Sequence, residues 1–269
     1  MPGAVRFSLS PSAEPALEEV LAELFVSWSL RAGTVSVWVS EEEADEVAVR
    51  LEAAGVEILG REVEPERDWV AEAAALQRPV AVGGLVLDPH DPPSADPGGR
   101  HRLLLPAERA FGTGSHESTR LALRLLLSSV PVGGSVLDVG CGAGTLALAA
   151  RTAGAGRAFG FDLDLEAPLA SRVNARRNAI NGCAFWGGLL ESLNPGARFD
   201  LIVANMLHEE VGPLLPGLAA LVRPGGLLVT AGQLVAREDE FLLLLESAGL
   251  VPRRVASEGE WLGTLSVRP

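Results

Sequence analysis

The 269-residue sequence contains no lysine: all of its basic side chains other than histidine are arginine. The chain therefore offers no lysine of its own as a nucleophile or as an acceptor for modification. Only two cysteines occur, Cys141 and Cys183. Two thiols in a chain of this size argue against a disulfide framework and point to a reducing cytoplasm. No apolar run reaches the length of about 18 residues that a membrane-spanning helix needs. The N-terminus shows no basic segment followed by an apolar one, so no secretory signal is expected. Arg120 stands where His116-Glu117 would need a second histidine, so H-E-x-x-H fails. No G-x-S-x-G elbow occurs. The four histidines and two cysteines are scattered, against a structural zinc site.

The net charge is −13. Phosphate binding requires a basic surface, so this balance argues against nucleic acid as a direct partner. It favours a basic partner drawn in by electrostatic steering, although acidity also serves solubility alone. Hydrophobic residues make up 48% of the chain, enough for a packed core. The length suits one large domain and one small one.

The organising stretch is Ser135 to Gly144, Ser-Val-Leu-Asp-Val-Gly-Cys-Gly-Ala-Gly. It reads as a buried strand, a turn built on Gly140, Gly142 and Gly144, and an apolar helix from Thr145. Such a turn brings backbone N–H groups and a helix N-terminus against a ligand. It lies at the carboxyl edge of an open α/β sheet. A dinucleotide wants G-x-G-x-x-G, whereas here the spacing is G-x-G-x-G with Thr145 in the last position. Asp138 ahead of the first glycine is a poor neighbour for pyrophosphate and a good one for a cation. The stretch resembles motif one of the S-adenosylmethionine-dependent methyltransferases, whose cofactor carries a sulfonium and an ammonium. A dinucleotide fold and a plain structural turn stay open at this point.

Upstream, short strands are expected at Ala4–Ser10, Thr34–Val39 and Val56–Val63, with helices over Ser12–Leu30 and Glu41–Ala54. That alternation suggests a small ferredoxin-like α/β domain over residues 1–65, a linking helix over 66–79, and a main domain over 80–269. Pro79–Leu87 and His101–Leu105 read as two strands around a turn-rich loop. Phe111-Gly112-Thr113-Gly114 is a glycine-rich loop placed to close over a ligand, ahead of a helix through Leu127. Asp162 ends the second strand of the main sheet, about 20 residues after the glycine turn, where a carboxylate accepts from ribose hydroxyls. Phe199–Ala204 leads into Asn205, whose amide points into the same crevice. Val251–Ser257 and Trp261–Val267 form a closing antiparallel hairpin. The expected fold is an α/β, Rossmann-like class I methyltransferase sheet.

Taken together, Phe111 to Thr119, Asp138 to Gly144, Gly160-Phe161-Asp162-Leu163-Asp164 and Val203-Ala204-Asn205 resemble the PrmA-type methyltransferases. These modify the eleventh protein of the large ribosomal subunit. The resemblance covers about the last two thirds of the chain, with Asp68-Trp69 and Arg78-Pro79 similar to the family's linker. It implies S-adenosyl-L-methionine as cofactor, held by residues matching Thr119, Gly140, Asp162 and Asn205. Asp138, Gly142 and Gly144 of the glycine turn, and Phe111 and Thr113 of the loop, join them as expected cofactor-binding residues. It also implies methylation of lysine side-chain or N-terminal amines, a basic ribosomal protein as substrate, docking by the N-terminal domain, and a cytoplasmic location. A monomer is expected. Asn205 is the expected catalytic residue, with His116, His208 and Glu209 as further possible proton acceptors. Ser118-Thr119 replaces the family's threonine pair, and the linker lacks a second tryptophan. Asn205 is followed by Met206-Leu207 rather than Pro-Pro-aromatic, which disfavours glutamine and adenine as targets. The alternatives are methylation of another protein or small amine, an NAD-dependent oxidoreductase, and a non-catalytic ribosome-binding protein.

Overall fold

The structure, a computed structural model, describes residues 4–10, 13, 17, 27–31, 34–64, 78–93, 98, 100–106 and 116–269. The chain divides into two compact units, Met1–Glu72 and Ala73–Pro269. The expected linking helix and the loop containing Phe111 and Thr113 lie outside the described residues.

The first unit contains β1 (Ala4–Leu9), β2 (Ser27–Arg31), β3 (Thr34–Ser40), α1 (Ala44–Ala53) and β4 (Ile58–Glu64). They build an antiparallel sheet in the order β2-β3-β1-β4. Period-two alternation explains it: Val5, Phe7 and Leu9 of β1 and Val35, Val37 and Val39 of β3 are all buried. Ala44, Val47 and Leu51 of α1, at helical spacing, pack into the same cluster. The helix expected over Ser12–Leu30 is corrected at its end, because Ser27–Arg31 is a strand paired with β3. Ser-Trp-Ser-Leu-Arg alternates polar and apolar, and that local period overrides the helical stripe preceding it.

The second unit begins with β5 (Val80–Val82), β6 (Leu85–Asp88) and β7 (His101–Leu104), a small three-stranded sheet. The single strand expected over Pro79–Leu87 is a hairpin instead. Gly83, at φ +57, turns the chain back so that β5 and β6 pair antiparallel. Next come α2 (Glu117–Leu127), β8 (Ser135–Val139), α3 (Thr145–Thr152), β9 (Arg157–Asp162), α4 (Glu166–Arg177), β10 (Cys183–Gly187) and β11 (Phe199–Asn205). The chain ends through α5 (His208–Val211), α6 (Leu215–Leu221), β12 (Val222–Leu234), α7 (Glu238–Ser247), β13 (Val251–Glu258) and β14 (Trp261–Val267).

Seven of these strands form one sheet, ordered β10-β9-β8-β11-β12-β14-β13. β10 to β12 run parallel, and β14 and β13 close the sheet antiparallel. Both faces are covered. In β11, Leu201 and Val203 join one core cluster, and Ile202 and Ala204 join the other. A strand buried on both sides reads as a continuous apolar run, which is why Leu-Ile-Val-Ala was legible. Strand order reverses between β8 and β11, so their carboxyl ends open a crevice at the topological switch point. This is the class I methyltransferase fold. No helix among the described residues is long and apolar enough to cross a membrane.

Candidate active site

The carboxyl ends of β8, β9 and β11 and the N-terminal turn of α2 supply the expected site residues that the structure describes. After β8 the chain turns through Gly140, Gly142 and Gly144, all in the left-handed region at φ +68, +50 and +80. At Gly144 a side chain is excluded twice. The backbone is left-handed, and a Cβ would lie 2.8 Å from the Ser171 hydroxyl oxygen. The turn is pinned from several sides. The N–H groups of Gly140 and Cys141 both donate to the Phe161 carbonyl at 3.0 Å. Ser171 Oγ donates to the Gly142 carbonyl at 2.8 Å, and Asn174 Nδ2 donates to the Ala143 carbonyl at 3.0 Å. Ser171 and Asn174 sit three residues apart on one face of α4. Both are buried, and sequence reasoning passed over them.

Asp138 is only 1% exposed. Its Oδ2 accepts from the Ala147 N–H at 3.0 Å, within the first turn of α3. Its Oδ1 is buried without a hydrogen-bond partner. Burial pushes its pKa up to about 8, the Ala147 N–H pulls it back, and the Asp162 charge adds to the rise. A buried carboxylate with one vacant oxygen favours a cation, which would offset the cost of ionising it. Burial likewise pushes the Cys141 thiol well above its ordinary range, and the Cys183 thiol up to about 11. Neither is a thiolate at neutral pH.

Asp162 ends β9, half-buried. Its Oδ2 accepts from the Gly142 N–H at 2.9 Å and its Oδ1 from the Asp164 N–H at 3.0 Å. The same carboxylate thus braces the glycine turn from the carboxyl end of its strand. A carboxylate oxygen accepts more than one hydrogen bond, so capacity remains for a diol.

On α2, His116 is the N-cap: its Nδ1 accepts from the Ser118 N–H at 3.3 Å, and its ring stands edge-on to Trp261. Thr119, 1% exposed, accepts from Asn205 Nδ2 at 3.2 Å. That bond commits the Asn205 donor and leaves its Oδ1 as an acceptor. Arg120 and Arg124 both pair with Glu258 of β13, which anchors α2 beneath the site. His208 packs against Phe241, with Nε2 3.4 Å from Glu240. Glu209 pairs with Arg237. These contacts tie His208 and Glu209 to side chains around the start of α7.

The site therefore gathers Asp138, the three glycines, Asp162, Thr119 and Asn205 around one sheet edge. A sequence profile for "Ribosomal protein L11 methyltransferase (PrmA)" matches residues 18–268. The chain belongs to the PrmA family. It is 36% identical over 240 residues to the ribosomal protein L11 methyltransferase of Dechloromonas aromatica, covering 85% of this chain and 78% of that one. Against the Methylobacillus flagellatus enzyme of the same name, identity is 39% over 178 residues, covering 65% of this chain and 58% of the relative. The chain thus spans less than two thirds of the length of that relative. The crystal structure of the ribosomal protein L11 methylase from Lactobacillus delbrueckii subsp. bulgaricus superposes with a TM-score of 0.65 at 26% identity, over 71% of this chain and 99% of that one. PrmA-family members are S-adenosylmethionine-dependent protein methyltransferases acting on ribosomal protein L11. The residues present suit that cofactor: the unpartnered Asp138 oxygen and the Asp162 carboxylate match a cationic molecule carrying a ribose.

Proposed function

We propose that this chain methylates lysine side-chain or N-terminal amines of ribosomal protein L11 in the cytoplasm. In this reading Asp138, Gly140, Gly142, Gly144, Asp162 and Thr119 hold S-adenosylmethionine, and Asn205 aims the amine. The observation that supports it most is the Thr119–Asn205 bond, which commits the Asn205 amide nitrogen and leaves Oδ1 as an acceptor at the carboxyl end of β11. Phe111 and Thr113, which lie outside the described residues, belong to the same reading as cofactor-binding residues.

The cofactor supplies a methyl group already activated on a sulfonium, so the protein's task is to place a nucleophile in line behind it. An amine must be neutral to attack. With a pKa near 10.4, lysine is neutral in about one part in 2,500 at pH 7, a penalty of about 4.6 kcal/mol. A neighbouring positive charge and partial drying of the site lower that pKa and reduce the penalty. No strong base is needed for this. Asn205 Oδ1, with neighbouring backbone carbonyls, accepts the amine N–H bonds, orients the lone pair, and leaves the departing proton to reach water. The net charge of −13 attracts a lysine-rich substrate. The N-terminal unit, with its own sheet and core, is the docking element in this reading.

The test is tritiated-methyl transfer into a ribosomal extract from a strain lacking this gene. The expected result is label in one large-subunit protein. Label in RNA, or none, would overturn the proposal.

A further inference from the structure

Gln233 is fully buried near the end of β12, among apolar neighbours, and nothing in the cofactor site requires it. Its Nε2 donates to the carbonyls of Met206 and Ala231, each at 2.9 Å. Its Oε1 is buried without a partner. A residue that only filled space there would be apolar and would avoid an orphaned acceptor.

The surrounding backbone explains the amide. Asn205 opposite Ala231 is the last pair in the β11–β12 ladder. Met206 N–H still reaches the Ala231 carbonyl at 3.0 Å, but the β12–β14 register then shifts at Gly232. Gly232 sits at φ +92, and a Cβ there would lie 2.6 Å from the Met206 carbonyl oxygen and 3.0 Å from Asn205 Oδ1. Both oxygens therefore crowd the same glycine, close to one another at the end of the ladder. Past the end of the ladder, the Gln233 side chain supplies the donor that fixes the Met206 carbonyl. The Met206 side chain also packs on Gly140, where a Cβ would lie 3.5 Å from its Sδ. The acceptor pair is thus tied to the glycine turn.

We propose that Gln233 is a positioning residue for methyl transfer, holding the Met206 carbonyl beside Asn205 Oδ1 as the second acceptor for the incoming amine. This rests on the reading of the site as one that methylates amines. A neutral primary amine offers two N–H bonds, one for each oxygen, and its lone pair is then aimed. After one methyl is added, a single N–H remains. After two, none remains, and the acceptors no longer orient the nitrogen. Dependence on Gln233 accordingly fades with each methyl already present.

The test compares wild type with Gln233→Leu, which keeps the volume and removes the donor, and with Gln233→Met in case leucine disturbs folding. Calorimetric binding of S-adenosylhomocysteine reports an intact cofactor site. Intact mass follows successive transfers to recombinant L11, supplied unmodified and after reductive dimethylation. The expected outcome is cofactor affinity within about twofold of wild type and a first transfer slowed about tenfold, as for the loss of one orienting hydrogen bond. The second transfer slows less, and transfer to the dimethylated protein changes by less than about twofold. Equal slowing of every transfer, or no slowing of the first, would overturn the role of Gln233. A wild-type enzyme that labels no L11 amine would instead overturn the reading of the function beneath it.

Discussion

Replacing Asp138 by asparagine isolates the most unusual electrostatic feature of the site. The folded-state pKa of Asp138 lies near 8, against 3.8 for an ordinary aspartate, because burial disfavours its charge. Between those values the folded chain holds a proton that the unfolded chain has lost. Stability from this group is therefore complete below about pH 4 and is withdrawn as pH rises through about 8, at about 1.4 kcal/mol per pH unit. Asparagine keeps the shape and still accepts from the Ala147 N–H, but it does not titrate. From about pH 5 to about pH 7 the stability of Asp138→Asn should therefore gain about 2.7 kcal/mol relative to wild type. Other groups work in the opposite window. At Asp200, burial pulls the pKa upward, but hydrogen bonds from Ser135 and the charge of Arg223 outweigh it and lower it. At Glu258, burial is likewise outweighed by Arg120 and Arg124. Their stabilisation is present above the usual carboxylate range and fades as pH falls through their lowered pKa values. It is common to both proteins and cancels in the difference. The assay is urea unfolding of the C-terminal unit at the two pH values. Calorimetry with S-adenosylmethionine adds a second readout. A cation beside Asp138 lowers its pKa, so wild type releases up to about one proton on binding near pH 7 and the variant releases none. Parallel stability profiles, together with identical proton release, would refute the assignment of a buried, protonated Asp138.

Three further substitutions test separate parts of the site. Asp162→Ala removes the acceptor of the Gly142 and Asp164 N–H groups and of the expected ribose diol; S-adenosylhomocysteine affinity should fall about a hundredfold by calorimetry, and an unchanged affinity would remove Asp162 from the site. Asn205→Ala should lower kcat about a hundredfold in methyl transfer while weakening the cofactor less, and near-normal turnover would end its role in aiming the amine. Gly232→Ala forces a Cβ against the Met206 carbonyl at a left-handed position; it should cost about 1–3 kcal/mol in thermal unfolding and slow turnover by about tenfold or more, and wild-type turnover would show that the Asn205–Met206 acceptors tolerate displacement.

Much of the second unit was legible because its signals were local. The central strands β8 and β11 are buried on both faces, so each is a short apolar run ending in a polar residue, Asp138 two residues before the turn and Asn205 at the strand end. The glycine turn and Asp162 follow by fixed spacing. What escaped were features decided by distant partners. Ser27–Arg31 lies at the end of a helical stripe, and only its pairing with β3 reveals the strand. β10 carries little signal because it is short and has only one buried side chain, Phe185. The β5–β6 hairpin is hidden in one apolar run, because Gly83-Gly84 interrupts it without any polar turn residue. Gln233 carried no signal at all: a lone glutamine in an apolar strand gains meaning only once the Met206 carbonyl is seen against it. His208 follows Asn205 closely in the chain, and its packing on Phe241 likewise becomes visible only in the fold.

The central claim is tested most directly by a crystal structure with S-adenosylhomocysteine. The account predicts the amino-acid end against the Gly140–Gly144 turn and both ribose hydroxyls within about 3.2 Å of Asp162. A ligand bound away from that turn, or a ribose with no contact to Asp162, would contradict it.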